Sequence, residues 1–130
     1  RLFSNSINTY KEKSHLVSSA EIFNNCAVVL APKELPDMKL AAVQAADELL
    51  EIEDVRASFV IYPEGESVSI SARSMGDVNV QVLMEKLGGG GHQTMAGAKI
   101  EDQTLSKVRE MVIDIITNTK INVGNENLKG

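Results

Sequence analysis

Four consecutive glycines followed by a histidine, Gly88-Gly89-Gly90-Gly91-His92, constrain this chain more than any other segment. Each glycine loses more backbone freedom on folding than another residue would. One glycine after a helix is a routine cap, because the chain leaves the helix through positive φ, and Gly88 or Gly89 is explained in that way. Four in a row ask for a further gain. Either main-chain N–H groups approach a phosphate or carboxylate closely, in a nest of successive amides, or the segment is a flexible loop. The common nucleotide-binding loops lie between a strand and the N-terminus of the next helix. Here the pattern predicts the reverse order, a helix before the glycines and a strand after them. The helix then turns its negative C-terminal end to the loop, so side-chain cations must attract an anion. Two candidates are His92, directly after the glycines, and Arg73, whose guanidinium fork suits a phosphate. Ser71 and Ser74 flank Arg73 and are further candidate donors.

Hydrophobic periodicity divides the rest into short elements. Phe3, Ile7, Tyr10 and Val17 give a loose amphipathic helix over 3–17. Residues 20–23 and 26–31 read as a hairpin turned at Asn24-Asn25, since asparagine tolerates positive φ. Pro36-Asp37 opens a helix over about 37–50 with a small face of Ala41, Ala42, Ala45 and Ala46. Residues 55–62 and 67–73 alternate as an antiparallel pair around a turn at 63–66, with the serines of the second strand on a solvated face. A helix over about 78–87 follows, capped by Asp77, then the glycines, a strand at 96–101, and a helix over 105–117 capped by Thr104. The fold class is α/β, a mixed sheet of about five strands with helices packed on it. The polar stretch 118–130 reads as a tail.

Composition narrows the function classes. The chain has 130 residues, enough for one domain with a core. Thirteen Lys and Arg against eighteen Asp and Glu give a net charge of −5, which disfavours coating long nucleic acid. No apolar run reaches the ~20 residues of a membrane helix, and the N-terminus lacks the apolar segment of a signal peptide. One cysteine and two histidines do not make a structural zinc site. Cys26 reads as a buried core thiol, His15 as a surface residue, Glu51, Glu53 and Asp54 as a solvated helix end, and Met75, Met84, Met95 and Met111 as packing residues. No carboxylate pair or His/Asp cluster has the spacing of a catalytic metal site. The chain begins at Arg1, as a fragment or a processed product would.

Ser71-Ala72-Arg73-Ser74, Asn79-Val80-Gln81, the glycines with His92, and Ala96-Gly97-Ala98 together resemble the C-terminal domain that accompanies the DHH phosphoesterase domain. The resemblance covers about residues 15–117. That family includes RecJ-like exonucleases, oligoribonucleases with pAp phosphatase activity and cyclic-di-AMP phosphodiesterases; a related domain ends alanyl-tRNA synthetases. The stretch from Ile70 to Val82, with Ala45-Ala46-Asp47 and Ala57-Ser58-Phe59-Val60-Ile61, is most similar to the membrane-anchored cyclic-di-AMP phosphodiesterases. Gln93-Thr94-Met95-Ala96-Gly97-Ala98 is closer to the general family ending.

The resemblance implies a substrate-binding domain at 19–117, a helix at 1–18 leading from an upstream DHH catalytic domain, and a tail at 118–130. It implies that the DHH domain holds two manganese ions and the attacking water, with no metal ligand and no activity in this chain alone. Arg73 and His92 would bind phosphate, Gly89, Gly90 and Gly91 would let the nucleotide approach the backbone, and Ser71 and Ser74 would add hydrogen bonds. The expected ligand is a cyclic dinucleotide, hydrolysed to pApA, or a short oligonucleotide. The parent protein would be cytoplasmic or anchored to the membrane by upstream segments, with no membrane contact through this domain. A homodimer stays open. The alternatives are an oligoribonuclease, pAp phosphatase or RecJ-like nuclease domain, and a non-catalytic module that binds tRNA or another nucleic acid.

Overall fold

A computed structural model describes residues 6–121. Phe3 and most of the expected tail lie outside them. Four helices and six strands follow in the order α1 (Ile7–Ser18), β1 (Glu21–Phe23), β2 (Cys26–Leu30), α2 (Met38–Leu49), β3 (Ala57–Glu64), β4 (Ser67–Ser74), α3 (Val80–Glu85), β5 (Gly90–Gly91), β6 (Met95–Ile100) and α4 (Leu105–Thr117). The strands form one sheet in the order β1-β2-β3-β4-β6-β5. Only β2 and β3 run parallel, and α2 is the crossover such a pair requires. The sixth strand, not expected from sequence, is two of the four glycines: Gly90 pairs with Gly97 and Gly91 with Ala96.

Local chemistry accounts for most element ends. Asn24 and Asn25 turn the β1–β2 hairpin at φ 50° and 63°, the left-handed pair a tight hairpin needs. Thr104 caps α4 by accepting the Lys107 N–H at 3.0 Å. At α3 the cap is Asn79, which accepts from the Val82 N–H, rather than Asp77. The Asp77 carboxylate instead faces Arg56 at 3.3 Å. The turn after β3 is also shorter than expected: Pro63 and Glu64 remain paired with Val68 and Ser67, and Gly65 makes the reversal at φ 61°.

Two cores sandwich the sheet. On one face Phe59, Ile61, Ile70, Ala72 and Cys26 pack against α3 and α4 through Val80, Leu83, Met84, Val108, Val112 and Ile116. On the other, Ala27, Val29, Val60 and Tyr62 pack against Ala41, Ala42, Ala45, Ala46 and Leu49 of α2, with Leu16 of α1 behind. Alanines let α2 lie close to the strands. Strand β3 is therefore buried on both faces. The Ser58 hydroxyl donates to the Ala46 carbonyl at 2.5 Å, under the helix.

The serines of β4 are less solvated than their alternation suggests. Ser67 and Ser69 are buried, and their hydroxyls donate to Glu101 and Glu64. Ser71 is half-buried. Among the expected packing methionines, Met84 is in the core, but Met75 and Met95 are exposed.

Cys26 is fully buried, and removal from water pushes its thiol up to about 12. The folded-state value lies above the ordinary one of 9.0, so this contribution to stability is complete below pH ~9 and falls as pH rises from ~9 toward ~12. At neutral pH the native thiol is expected to react with Ellman's reagent only at the rate of unfolding, and at once in denaturant.

Candidate functional site

Strand register assembles the site. Ser58 pairs with Arg73, and Arg73 with Met95. His92 donates its N–H to the Met95 carbonyl at 2.7 Å and accepts from the Met95 N–H at 3.3 Å. It is thus the next partner in the same row, across a turn of Gln93 and Thr94. The following row, on the same face, is Val60, Ser71, Gly97 and Gly90. The third is Tyr62, Ser69 and Lys99. Helix α2 covers the β2–β3 end of these rows and leaves the β6–β5 end open. The result is a shelf of two glycines, Gly97 and Gly90, with Ser71 at its inner edge. Arg73, Met95 and His92 stand on one side of it and Lys99 on the other. Strands ~4.8 Å apart make the step from Arg73 to His92 about 10 Å.

Arg73 is oriented before any ligand arrives. Its Nη2 donates to Asp47 Oδ1 at 3.1 Å, with 22% of the arginine side chain exposed against 63% of the aspartate. Such a surface pair contributes about 0–1 kcal/mol, so an anionic phosphate oxygen competes with it readily, and the guanidinium has further N–H donors for a second bond. Asp47 holds the fork at the edge of α2, beside the shelf. The His92 imidazole is exposed, with no hydrogen-bond partner among the described residues. Its backbone is fixed, because the turn is tied to the end of β4 and the start of α3. Ser74 N–H donates to Thr94 O at 3.0 Å, Val80 N–H to Gln93 O at 2.9 Å, and the Gln93 amide to Gly76 O at 3.4 Å.

The glycines divide by role. Gly88, at φ 86°, reverses the chain after α3; its N–H donates to Glu85 O and that of Gly89 to Met84 O, the paired bonds of a Schellman cap. A Cβ on Gly89 would sit 2.0 Å from the Gly97 carbonyl oxygen, and one on Gly91, at φ 144°, 2.6 Å from Ala96 Cα. These two are glycine because β6 lies against them. Gly90 differs from all of these: its φ is not left-handed, and a Cβ there would face open space. Several of the amides expected to form a nest are taken up by the fold. The N–H groups of Gly88, Gly89 and His92 bond within the protein, and Gly90 is paired with Gly97 on the shelf.

Of the residues expected at the site, Arg73, His92, Ser71 and Gly90 come together. Gly89 and Gly91 lie against β6 and shape the hairpin. Ser74 does not reach the shelf: its buried hydroxyl donates to Val78 O at 2.6 Å and accepts from Gly76 N–H at 3.0 Å, bracing the loop before α3. Sequence reasoning missed Met95, Gly97 and Lys99. Their signal was the period of two in Met95, Gly97 and Lys99 against Ala96, Ala98 and Ile100.

The sequence matches the DHHA1 domain family over residues 26–118. The chain belongs to the DHHA1 domain family. This DHHA1 domain is 41% identical to the cyclic-di-AMP phosphodiesterase PdeA of Listeria monocytogenes, over 85% of the chain and 17% of that protein. It is likewise 41% identical to the cyclic-di-AMP phosphodiesterase GdpP of Geobacillus thermodenitrificans, over 89% of the chain and 18% of that protein. The chain spans less than a fifth of these curated relatives. The fold is shared with an exopolyphosphatase-related protein from Bacteroides fragilis, at a TM-score of 0.72 and 20% identity, covering 85% of this chain and 35% of the other. The family, the mixed sheet and the helices on it thus agree with the expectation from sequence.

Proposed function

We propose that this DHHA1 domain is the substrate-binding half of a DHH-family phosphodiesterase that hydrolyses cyclic di-AMP to pApA. The observation that carries the reading is the row Arg73–Met95–His92 beside the Gly90–Gly97 shelf, on the half of the sheet face that no helix among the described residues covers. Two relatives of that activity, each 41% identical over most of the chain, support it. Arg73 grips a phosphate through its fork, His92 donates to the same phosphate from across Met95, and Ser71 and Gly90 let the sugar-phosphate lie flat between them. Lys99, 4.0 Å from Glu64, adds positive charge at the far end, where a second phosphate would extend. The net charge of −5 does not oppose this. A compact dinucleotide needs a few aimed cations rather than a long basic track.

The hydrolytic step belongs to a DHH domain in the parent protein, with its manganese ions and attacking water. Among the described residues, no group of three or more His, Cys, Asp or Glu side chains comes together to hold a metal. These residues do not fit the ions, and no bond-breaking step is assigned to this chain. Helix α1 would carry the connection from that domain. No helix among the described residues is long and apolar enough to cross a membrane. The test is the kinetics of Arg73→Ala and His92→Ala in the parent enzyme. A fall in kcat/KM supports the reading; wild-type values in both variants would reject it.

A further inference from the structure

Two large apolar side chains flank Arg73 in solvent. Met75 is 64% exposed and Met95 49%. Met95 lies directly opposite Arg73 in the β4–β6 ladder, with His92 as its other neighbour in the row. The Met75 N–H donates to Arg56 O at 3.4 Å, which extends the β3–β4 ladder one step past the Ala57–Ser74 pair. That step puts Met75 two residues beyond Arg73 on the same face. Single exposed apolar residues are ordinary on a surface. Two methionines beside one arginine, next to a floor of two glycines, form a patch with a cation set into it. Their thioethers are unbranched, polarizable and adaptable, and pack well against flat π-systems. A patch of this kind matches a ligand that joins an anion to a flat apolar ring.

We infer that Met75 and Met95 form the seat for the nucleobase attached to the phosphate held by Arg73 and His92. The inference rests on the phosphate reading above. It adds that affinity for this half of the ligand comes from base packing as well as charge.

The experiment is competitive inhibition of the parent enzyme by AMP and by ribose 5-phosphate, which carries the phosphate and sugar without the base. In the wild type AMP is expected to inhibit about tenfold better. In Met75→Ala/Met95→Ala its inhibition constant rises roughly five- to tenfold, while that of ribose 5-phosphate stays put. Met75→Gln/Met95→Gln, which keeps side-chain length and replaces the thioether with an amide, gives the same split. AMP inhibition unchanged in both double variants, or equal weakening of the two ligands, overturns the inference. Arg73→Ala separates it from the reading beneath: the phosphate site predicts weaker binding of both ligands, and no change in either rejects that site irrespective of the methionines.

Discussion

Gly89→Ala is expected to lower the melting temperature by roughly 10 °C, while Gly90→Ala leaves it within a degree or two. The two glycines are adjacent and the substitution is the same, so only their surroundings differ. At Gly89 the new methyl would lie 2.0 Å from Gly97 O and 2.7 Å from Ala98 Cα. Both are main-chain atoms of β6, which cannot rotate away as a side chain can. Relief means separating β5 from β6 or breaking the cap that ends α3. Overpacking a rigid site costs about 3 kcal/mol or more, and in a domain of this size each kcal/mol is worth ~3–4 °C. At Gly90 the methyl enters open space, at a backbone angle that is not left-handed. Removing a glycine there even lowers the entropy of the unfolded chain slightly. The same methyl rises from the shelf, so Gly90→Ala should keep the fold and weaken nucleotide binding. Calorimetric scans of both variants, with inhibition constants for AMP in the parent enzyme, check the pair.

The second large effect is kinetic. On the proposed function, Arg73→Ala removes charge-assisted hydrogen bonds to the phosphate. Bonds of that type contribute about 1.5–3 kcal/mol, which corresponds to a ~10- to 100-fold fall in kcat/KM. Loss of the Asp47 partner is a minor part, because that pair is exposed. His92→Ala should cost roughly tenfold. The two losses are not expected to add fully, since in the proposed site both side chains would address one phosphate and either loss would let it shift. Arg73→Lys is the informative conservative change. It keeps the charge but not the planar fork, so a rate between wild type and Arg73→Ala points to bidentate contact.

What could be read from sequence depended on whether the deciding neighbour lay nearby in the chain. Helix α4 spans 105–117 as expected because a strong 3.6-residue period is closed by the Thr104 cap, and both signals are local. The Asn24-Asn25 turn was equally legible, since asparagine itself tolerates the φ that the turn needs. Arg73 and His92 were legible as hydrogen-bond donors near glycines. Strand β5 was not, because two glycines carry no hydrophobic pattern. The reason for Gly89 and Gly91 lies in β6, several residues away around a turn. Ser67 and Ser69 looked solvated because nothing local says that Glu101 and Glu64 fold over them. Met75 and Met95 looked like core because methionine is usually buried. Their exposure becomes visible only when register sets them on the uncovered face.

The central claim, that the open face of β4, β6 and β5 holds the nucleotide, has a direct measurement: backbone-amide NMR of the chain titrated with AMP. The account predicts saturable shifts at Ser71, Arg73, Gly90 to Gly97 and Lys99, lost in Arg73→Ala. Shifts centred instead on the apolar groove at the other end of β2, lined by Leu16, Ala31, Leu35 and Met38, or no shifts at millimolar AMP, would contradict it.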